Sequence, residues 1–360
     1  MESLRIRTPK GERIIGPGQP AFIVAEMSSN HNQDLERAKR IIDAAAQAGA
    51  DAIKVQTYTP DTITMDSDKK WFWVGGEENP DSWKQKTFYQ LYQKSYLPWD
   101  WHAELQTYSE KQGLMFFSTP FDDTAVDFLE TLNVPCYKIA SYEATHIPLL
   151  RKVAKTGKPV IMSVGFATLD EVELSVQTLR DNGVKQLALL HCTTSYSDQP
   201  RPEHTNLRTI QDIATRFDVV AGFSDNMGGV DVPVLAAAMG AAIIEKHFVV
   251  THENSALDDR FSLDQRSLKA MVDAIRENEK VMGRVQYGCQ TEAEKHNRKF
   301  RRSVFAVQDI KKGEKFTSEN VRCIRPGDGL ETKYYEQVLG VTASQDIERG
   351  TPIQWELVGK

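Results

Sequence analysis

Nowhere does the chain approach the run of about 18 apolar residues that a membrane-spanning helix needs, so no membrane span is expected. The N-terminal "MESLRIRTPKGER" lacks the apolar centre of a secretory signal. Cysteine is scarce: Cys136, Cys192, Cys289 and Cys323 show no CxxC and no zinc-ligand spacing. Cys136 and Cys192 lie in or beside apolar runs and read as buried free thiols, which suits a reducing compartment. A basic excess is missing too, for 44 Lys and Arg stand against 50 Asp and Glu, a net charge of −6. Nucleic-acid binding, which needs a basic stripe against phosphates, is therefore not expected. A small anion held by a few local lysines is not excluded. With 40% hydrophobic and 26% charged residues in 360, what remains is a cytosolic globular protein, larger than one average domain.

What the chain does have is rhythm. Short β-rich apolar runs occur at 22–27 ("FIVAEM"), 52–58 ("AIKVQTY"), 114–119 ("LMFFST"), 136–141 ("CYKIAS"), 159–164 ("PVIMSV"), 187–192 ("LALLHC"), 219–224 ("VVAGFS") and 242–248 ("AIIEKHF"). Helix-periodic stretches such as "DLERAKRIIDAAAQAGA" and "SLKAMVDAIRENEKVMG" separate and follow them. Eight strand–helix units predict an α/β fold, a (β/α)8 TIM barrel over 1–283 with a short N-terminal extension. A doubly wound open sheet is the alternative, but no GxGxxG follows the first strand. Residues 59–95 are too long for an ordinary strand-to-helix loop and are expected to cover the site. Residues 284–299 read as a polar linker, and 300–360 as a small β-rich domain. Within that domain "DIKKGEKF" and "DIERGTPI" form a weak internal repeat.

Active sites of such barrels are built at the C-terminal strand ends, so the polar residues there are the candidates. They include Glu26, Lys54 and Gln56, Ser118 and Thr119, Lys138, Ser141 and Glu143, and Ser163. The later strands add His191 with Tyr196 beyond it, Ser224, Asp225 and Asn226, then Glu245, Lys246 and His247. Lys54 and Gln56 are two apart and share one strand face. Two lysines inside barrel strands are costly to bury without an anion. One such lysine reads most simply as a structural ion pair with a nearby glutamate. Two, with hydroxyls on neighbouring strand ends, point to a phosphate or carboxylate pocket. His247, alone, reads as a core histidine. With Glu26, Glu143 and Asn226 around one barrel mouth it is also a candidate for a divalent ion on mixed N and O ligands. The crowded "AEMSSNHN" reads either as turn chemistry or as part of the site.

These segments together, "AEMSSNHN", "GADAIKVQTYTPDT", "FFSTPFD", "YKIASYEAT", "LLHCTTSY", "GFSDN", "IIEKHF" and "IRPGDG", resemble the sialic acid synthase family. "QTYTPDT" and "LYQKSYLPWDWH" are most similar to its pseudaminic acid synthase branch. The resemblance runs almost end to end and implies a barrel followed by a small antifreeze-like (SAF) domain. It implies condensation of phosphoenolpyruvate with an open-chain amino sugar, with C–O cleavage releasing phosphate. The sugar expected for this branch is a 2,4-diacetamido-2,4,6-trideoxyhexose. An N-acetylneuraminic or legionaminic acid synthase, or a sugar-binding paralogue with an impaired metal site, are the alternatives.

Carried over residue by residue, Lys54, Lys138, Thr119, Ser141 and Ser163 would hold phosphoenolpyruvate. Gln56, Glu143, Tyr196 and Ser224 would line the same pocket, and Asp258 would meet sugar hydroxyls. Glu26, beside the reacting centre, would stabilise developing positive charge or steer a proton, while Asn30 and His31 shape the turn or touch substrate rather than bind metal. Arg325 would reach the sugar from the partner chain of a domain-swapped homodimer. Mn²⁺ or Mg²⁺ would sit at His247 and position 226. There the chain departs from the pattern: the family has Ser-Asp-His, and this sequence has Ser224-Asp225-Asn226. An amide oxygen suits hard ions but is a poorer ligand for softer metals. "SVGF" at 163–166, where the family has Ser-Thr-Gly-Met, removes a hydroxyl near the phosphate pocket.

Overall fold

The computed structural model describes residues 3–75, 83–197, 202–253 and 256–359; the side chains at 195–197 and 202 lie outside that description. Two compact units emerge, Met1–Gly283 and Arg284–Lys360.

The first unit opens with a hairpin, β1 (Leu4–Thr8) and β2 (Gly11–Ile15). Eight parallel strands then close into a barrel in the order β10-β3-β4-β5-β6-β7-β8-β9. They are β3 (Phe22–Glu26), β4 (Ala52–Thr57), β5 (Met115–Pro120), β6 (Tyr137–Ile139), β7 (Val160–Ser163), β8 (Leu187–Ser197), β9 (Val220–Met227) and β10 (Ile243–His247). All eight runs expected from the sequence are barrel strands, and β8 and β9 continue beyond their apolar runs into polar sequence.

Helices on the outside complete the units: α1 (Leu35–Ala48), α2 (Pro60–Ile63), α3 (Phe88–Ser95), α4 (His102–Lys111), α5 (Asp123–Thr131), α6 (Ile147–Ala154), α7 (Leu169–Asp181), α8 (Thr209–Phe217), α9 (Asp231–Ala238) and α10 (Gln265–Met282). In α1 the sequence dictates both ends. Asp34 caps the first turn by accepting from the Arg37 N–H, and Gly49 ends the helix at φ +89°, a conformation open to glycine. Its Ala38, Ile41, Ile42 and Ala45 face the barrel. Two helices, α2 and α3, are built from the long 59–95 segment.

Strand parity then divides the barrel wall. Residues two apart share a face, and Phe22, Val24, Ala52, Phe117, Ile161 and Leu190 belong to one apolar cluster inside the barrel. Leu4, Ile6 and Ile15 of the hairpin join it and close the end at which the strands begin. The sequence reading missed this hairpin, although "LRIRTPKGERII" alternates in the period of a strand. Gly222 holds an inward place where a Cβ would meet Leu190 Cδ2 at 2.5 Å and the Ile243 carbonyl at 2.6 Å. Continuing the same parity toward the strand ends, the inward positions turn polar.

The second unit holds α11 (Glu292–Asn297), β11 (Ser303–Ala306), β12 (Val321–Ile324) and α12 (Tyr335–Val338), with Val304, Phe316, Val321 and Ile353 in its core. The two Asp-Ile-x-x-Gly segments meet in a reciprocal pair. Ile310 and Ile347 exchange both backbone hydrogen bonds at 2.8 Å. Asp346 accepts from the Lys312 N–H and Asp309 from the Arg349 N–H. The repeat seen in sequence is thus a local two-fold arrangement. Among the described residues no helix is long and apolar enough to cross a membrane, and Cys136 and Cys192 are buried free thiols.

Candidate active site

A cavity of about 540 Å³ opens at the C-terminal strand ends, and its floor is the polar continuation of the inward parity. Of the residues expected from sequence, Glu26, Lys54, Gln56, Thr119, Lys138, Ser141, Glu143, Ser163, Ser224, Asn226, His247 and Asp258 all line it. Register explains part of this convergence: His247 of β10 pairs beside Glu26 of β3, which pairs beside Lys54 of β4. Gln56 lies beside Thr119 and Glu245 beside Ser224. Tyr196 has its side chain outside the described residues, and Arg325 is exposed on the second unit.

Both lysines form ion pairs with glutamates, and they do so inside the cavity. Lys54 and Lys138 are 3% and 2% exposed and face the cavity. Lys54 Nζ lies 2.6 Å from Glu26 Oε2 and 3.6 Å from Glu245 Oε1, and donates to Thr119 Oγ1 at 3.1 Å. Lys138 Nζ lies 3.3 Å from the same Glu245 oxygen. Ser224 donates to that oxygen at 3.2 Å. Two ammonium groups and two carboxylates therefore form one buried cluster. Burial works against the charge of Lys54, yet Glu245 and Glu26 hold its pKa above the ordinary lysine value. Lys138 is pushed below that value by burial, which Glu245 only partly offsets while Lys54 adds to it. Glu245 stays below the ordinary carboxylate range because Lys138 and Lys54 outweigh its burial.

Around the cluster are groups with spare capacity. Ser163 Oγ is buried without a hydrogen-bond partner among the described residues, as is Glu143 Oε2. Glu143 is pushed up to about 8 by burial, with Lys138 pulling the other way. Ser141 Oγ accepts from the Gly165 N–H at 3.0 Å. Gln56 donates to Glu26 Oε1 at 2.9 Å and to Ser28 Oγ at 3.0 Å, and Ser28 donates to Asp258 Oδ2 at 2.5 Å. Above this polar floor the cavity wall is apolar, with Ile63, Val74, Phe88, Leu91 and Tyr92 all supplied by the 59–95 segment.

Other strand-end residues point away. Ser118 bonds Thr57 and the Val55 carbonyl behind the wall. His191 meets the Thr205 carbonyl, and Lys246 forms a fully buried pair with Asp225 at 2.7 Å. Asn30 donates to the Phe248 carbonyl and to Ser262, and His31 Nδ1 accepts from the Gln33 N–H. Both residues build the turn, and neither lines the cavity. A larger depression of about 910 Å³ lies outside the barrel among α7, α8 and α9 and contains none of the inward strand-end residues of the polar floor. Glu245 and Ser28 are the participants that sequence reasoning left without a role. Glu245 was visible as a strand-end carboxylate, but its two lysine partners come from strands across the barrel.

For a divalent ion, no group of three His, Cys, Asp or Glu side chains is assembled among the described residues. The smaller pair His247 and Asn226 both face the cavity. Burial lowers the His247 pKa, keeping the imidazole neutral as a ligand must be, against the pull of Asp258, Glu26 and Glu245. The Asn226 amide nitrogen points to Cys192 Sγ at 3.6 Å. One neutral imidazole and one amide fit a hard ion that takes its remaining ligands from water or substrate.

Residues 41–287 match the NeuB family, and residues 301–359 match the SAF domain. The chain belongs to the NeuB family. It is similar to the pseudaminic acid synthase of Campylobacter jejuni subsp. jejuni, with 41% identity over 92% of this chain and 95% of that one. The pseudaminic acid synthase of Helicobacter pylori shares 38% identity over 93% and 97%. Among solved structures, the N-acetylneuraminic acid (sialic acid) synthetase of Leptospira borgpetersenii superposes with a TM-score of 0.70. That match has 32% identity and covers 82% of this chain and 95% of that one. A NeuB-family barrel followed by a SAF domain is the architecture that the sequence resemblance implied.

Proposed function

We propose that this chain condenses phosphoenolpyruvate with the aldehyde of an open-chain six-carbon amino sugar, giving a nine-carbon 2-keto acid and phosphate. The acceptor assigned to it is a 2,4-diacetamido-2,4,6-trideoxyhexose, the sugar of a pseudaminic acid-like product. The observation carrying this reading is the placement of Lys54 and Lys138 in one cavity beside Thr119, Ser141 and the unpartnered Ser163 hydroxyl. Ammonium groups serve phosphate as point charges, and hydroxyls complete the shell. The relatives named pseudaminic acid synthase support the choice of sugar, and an apolar upper wall suits methyl-bearing groups over hydroxyls.

In this reading the bound anion draws Lys54 and Lys138 away from Glu26 and Glu245. The methylene carbon of phosphoenolpyruvate forms a bond to the aldehyde carbon, and the carbonyl oxygen takes a proton to become a hydroxyl. Positive character grows at the enol carbon, and Glu26, released from Lys54, stabilises it. Water adds there and loses a proton, and the tetrahedral carbon expels inorganic phosphate by C–O cleavage. His247 and Asn226 would hold Mn²⁺ or Mg²⁺, which supplies a Lewis acid at the aldehyde oxygen when bound. Gln56, Glu143 and Ser224 line the pocket, and Asp258 meets acceptor hydroxyls. Arg325 reaches the acceptor from a second copy of the chain in a swapped homodimer. The test is phosphate release from phosphoenolpyruvate with a panel of six-carbon amino sugars, before and after EDTA treatment and Mn²⁺ return. Release with the diacetamido-trideoxy sugar, lost on chelation and restored by Mn²⁺, is the expected result. Release only with N-acetylmannosamine or a legionaminic acid precursor reassigns the acceptor, and release with none overturns the reading.

A further inference from the structure

Ser28 occupies a backbone conformation that serine avoids, and does so inside the cavity. Its φ is +46°, in the left-handed region where an L side chain costs about 1–2 kcal/mol and glycine costs little. Asn32 and Gln33 in the same turn share the sign of φ but are exposed. Ser28 is 6% exposed, and its hydroxyl is fully engaged. It donates to Asp258 Oδ2 at 2.5 Å and accepts from Gln56 Nε2 at 3.0 Å. The same Gln56 nitrogen donates to Glu26 Oε1 at 2.9 Å. A directed chain results: the two amide hydrogens go to Glu26 and Ser28, and the serine hydrogen goes to Asp258. The Ser29 N–H adds a longer contact to the same Asp258 oxygen at 3.4 Å.

We infer that Ser28 is a positioning residue, which holds Asp258 oriented toward the acceptor sugar and links it through Gln56 to Glu26. The backbone strain is tolerated because the hydroxyl fixes a carboxylate donated from a loop 230 residues away. With Oδ2 committed to serine donors, Oδ1 remains for a ligand hydroxyl. This inference rests on the assignment of Asp258 to the acceptor.

Two substitutions separate the hydroxyl from the backbone. Ser28→Ala removes the hydroxyl and keeps the strain, whereas Ser28→Gly removes both. Losing one charge-assisted hydrogen bond predicts a drop of about tenfold in acceptor kcat/KM for both variants. The KM for phosphoenolpyruvate is expected to stay unchanged, and the glycine variant to melt above the alanine variant. If Ser28→Gly keeps the wild-type acceptor kcat/KM, the residue is merely structural and the inference falls. Wild-type protein that turns over no acceptor would instead defeat the functional assignment. The crystal structure of Ser28→Gly then decides: a reoriented Asp258 supports the positioning role, and an unmoved one overturns it.

Discussion

Replacing Lys138 by Met separates an ammonium that binds substrate from one that only neutralises a glutamate. The shape of the stem is kept and the charge lost. Lys138 Nζ and Glu245 Oε1 are 3.3 Å apart, an attraction of about 5 kcal/mol at an effective dielectric near 20. Desolvation offsets part of it, and breaking one side of such a buried pair typically costs about 3–5 kcal/mol. Glu245 keeps Lys54 at 3.6 Å and Ser224 at 3.2 Å, which sets the expected loss of stability at the lower end, about 3 kcal/mol. The trianion loses one of two ammonium partners and still faces the Glu245 carboxylate. Its KM is therefore expected to rise about tenfold to about a hundredfold, with little change in the acceptor KM. Adding Glu245→Gln removes the orphaned carboxylate, so the double variant should recover most of the stability but not the affinity. Urea unfolding and phosphate-release kinetics with each substrate varied read both effects. A Lys138→Met protein that loses stability yet keeps its phosphoenolpyruvate KM within about twofold would refute the reasoning.

Acid should destabilise the barrel through two buried imidazoles. His31 is lowered to about 4 by burial and the neighbouring His102, and His102 to about 4 by burial. Unfolded, each binds a proton near pH 6.5, so stability present above 6.5 is lost as pH falls toward 4, about 2 kcal/mol apiece by pH 5. Urea midpoints at pH 7 and 5 check this; an unchanged slope in a His31→Gln/His102→Gln variant would contradict it. Asn226→His should tighten binding of a softer ion such as Zn²⁺ about tenfold or more, because imidazole suits it better than an amide oxygen does. Calorimetry of Zn²⁺ binding to both proteins reads this directly, and equal affinities would remove position 226 from the ion site.

The strands and their inward parity were legible because every barrel strand carries a β-rich apolar run, and Lys54 with Gln56 announced their shared face by spacing. What stayed hidden depended on contacts across the barrel. Glu245 meets lysines from β4 and β6, neither of them neighbours of β10 in the sheet. Ser28 and Asp258 are joined by a single hydrogen bond across 230 residues. Ser118 and His191 shared the strand-end signature of the site yet face outward, since a one-residue change of parity reverses the face. The apolar upper wall comes from α2, α3 and their connections, where sequence offered only an unusually long loop.

The central claim concerns where a small anion sits, and the structure of the protein with phosphoenolpyruvate alone addresses it most directly. Lys54 and Lys138 are expected to leave Glu26 and Glu245 and to contact phosphate or carboxylate oxygens, with the Ser163 hydroxyl as a further donor. An anion bound elsewhere, with both lysines still paired to their glutamates, would contradict the account.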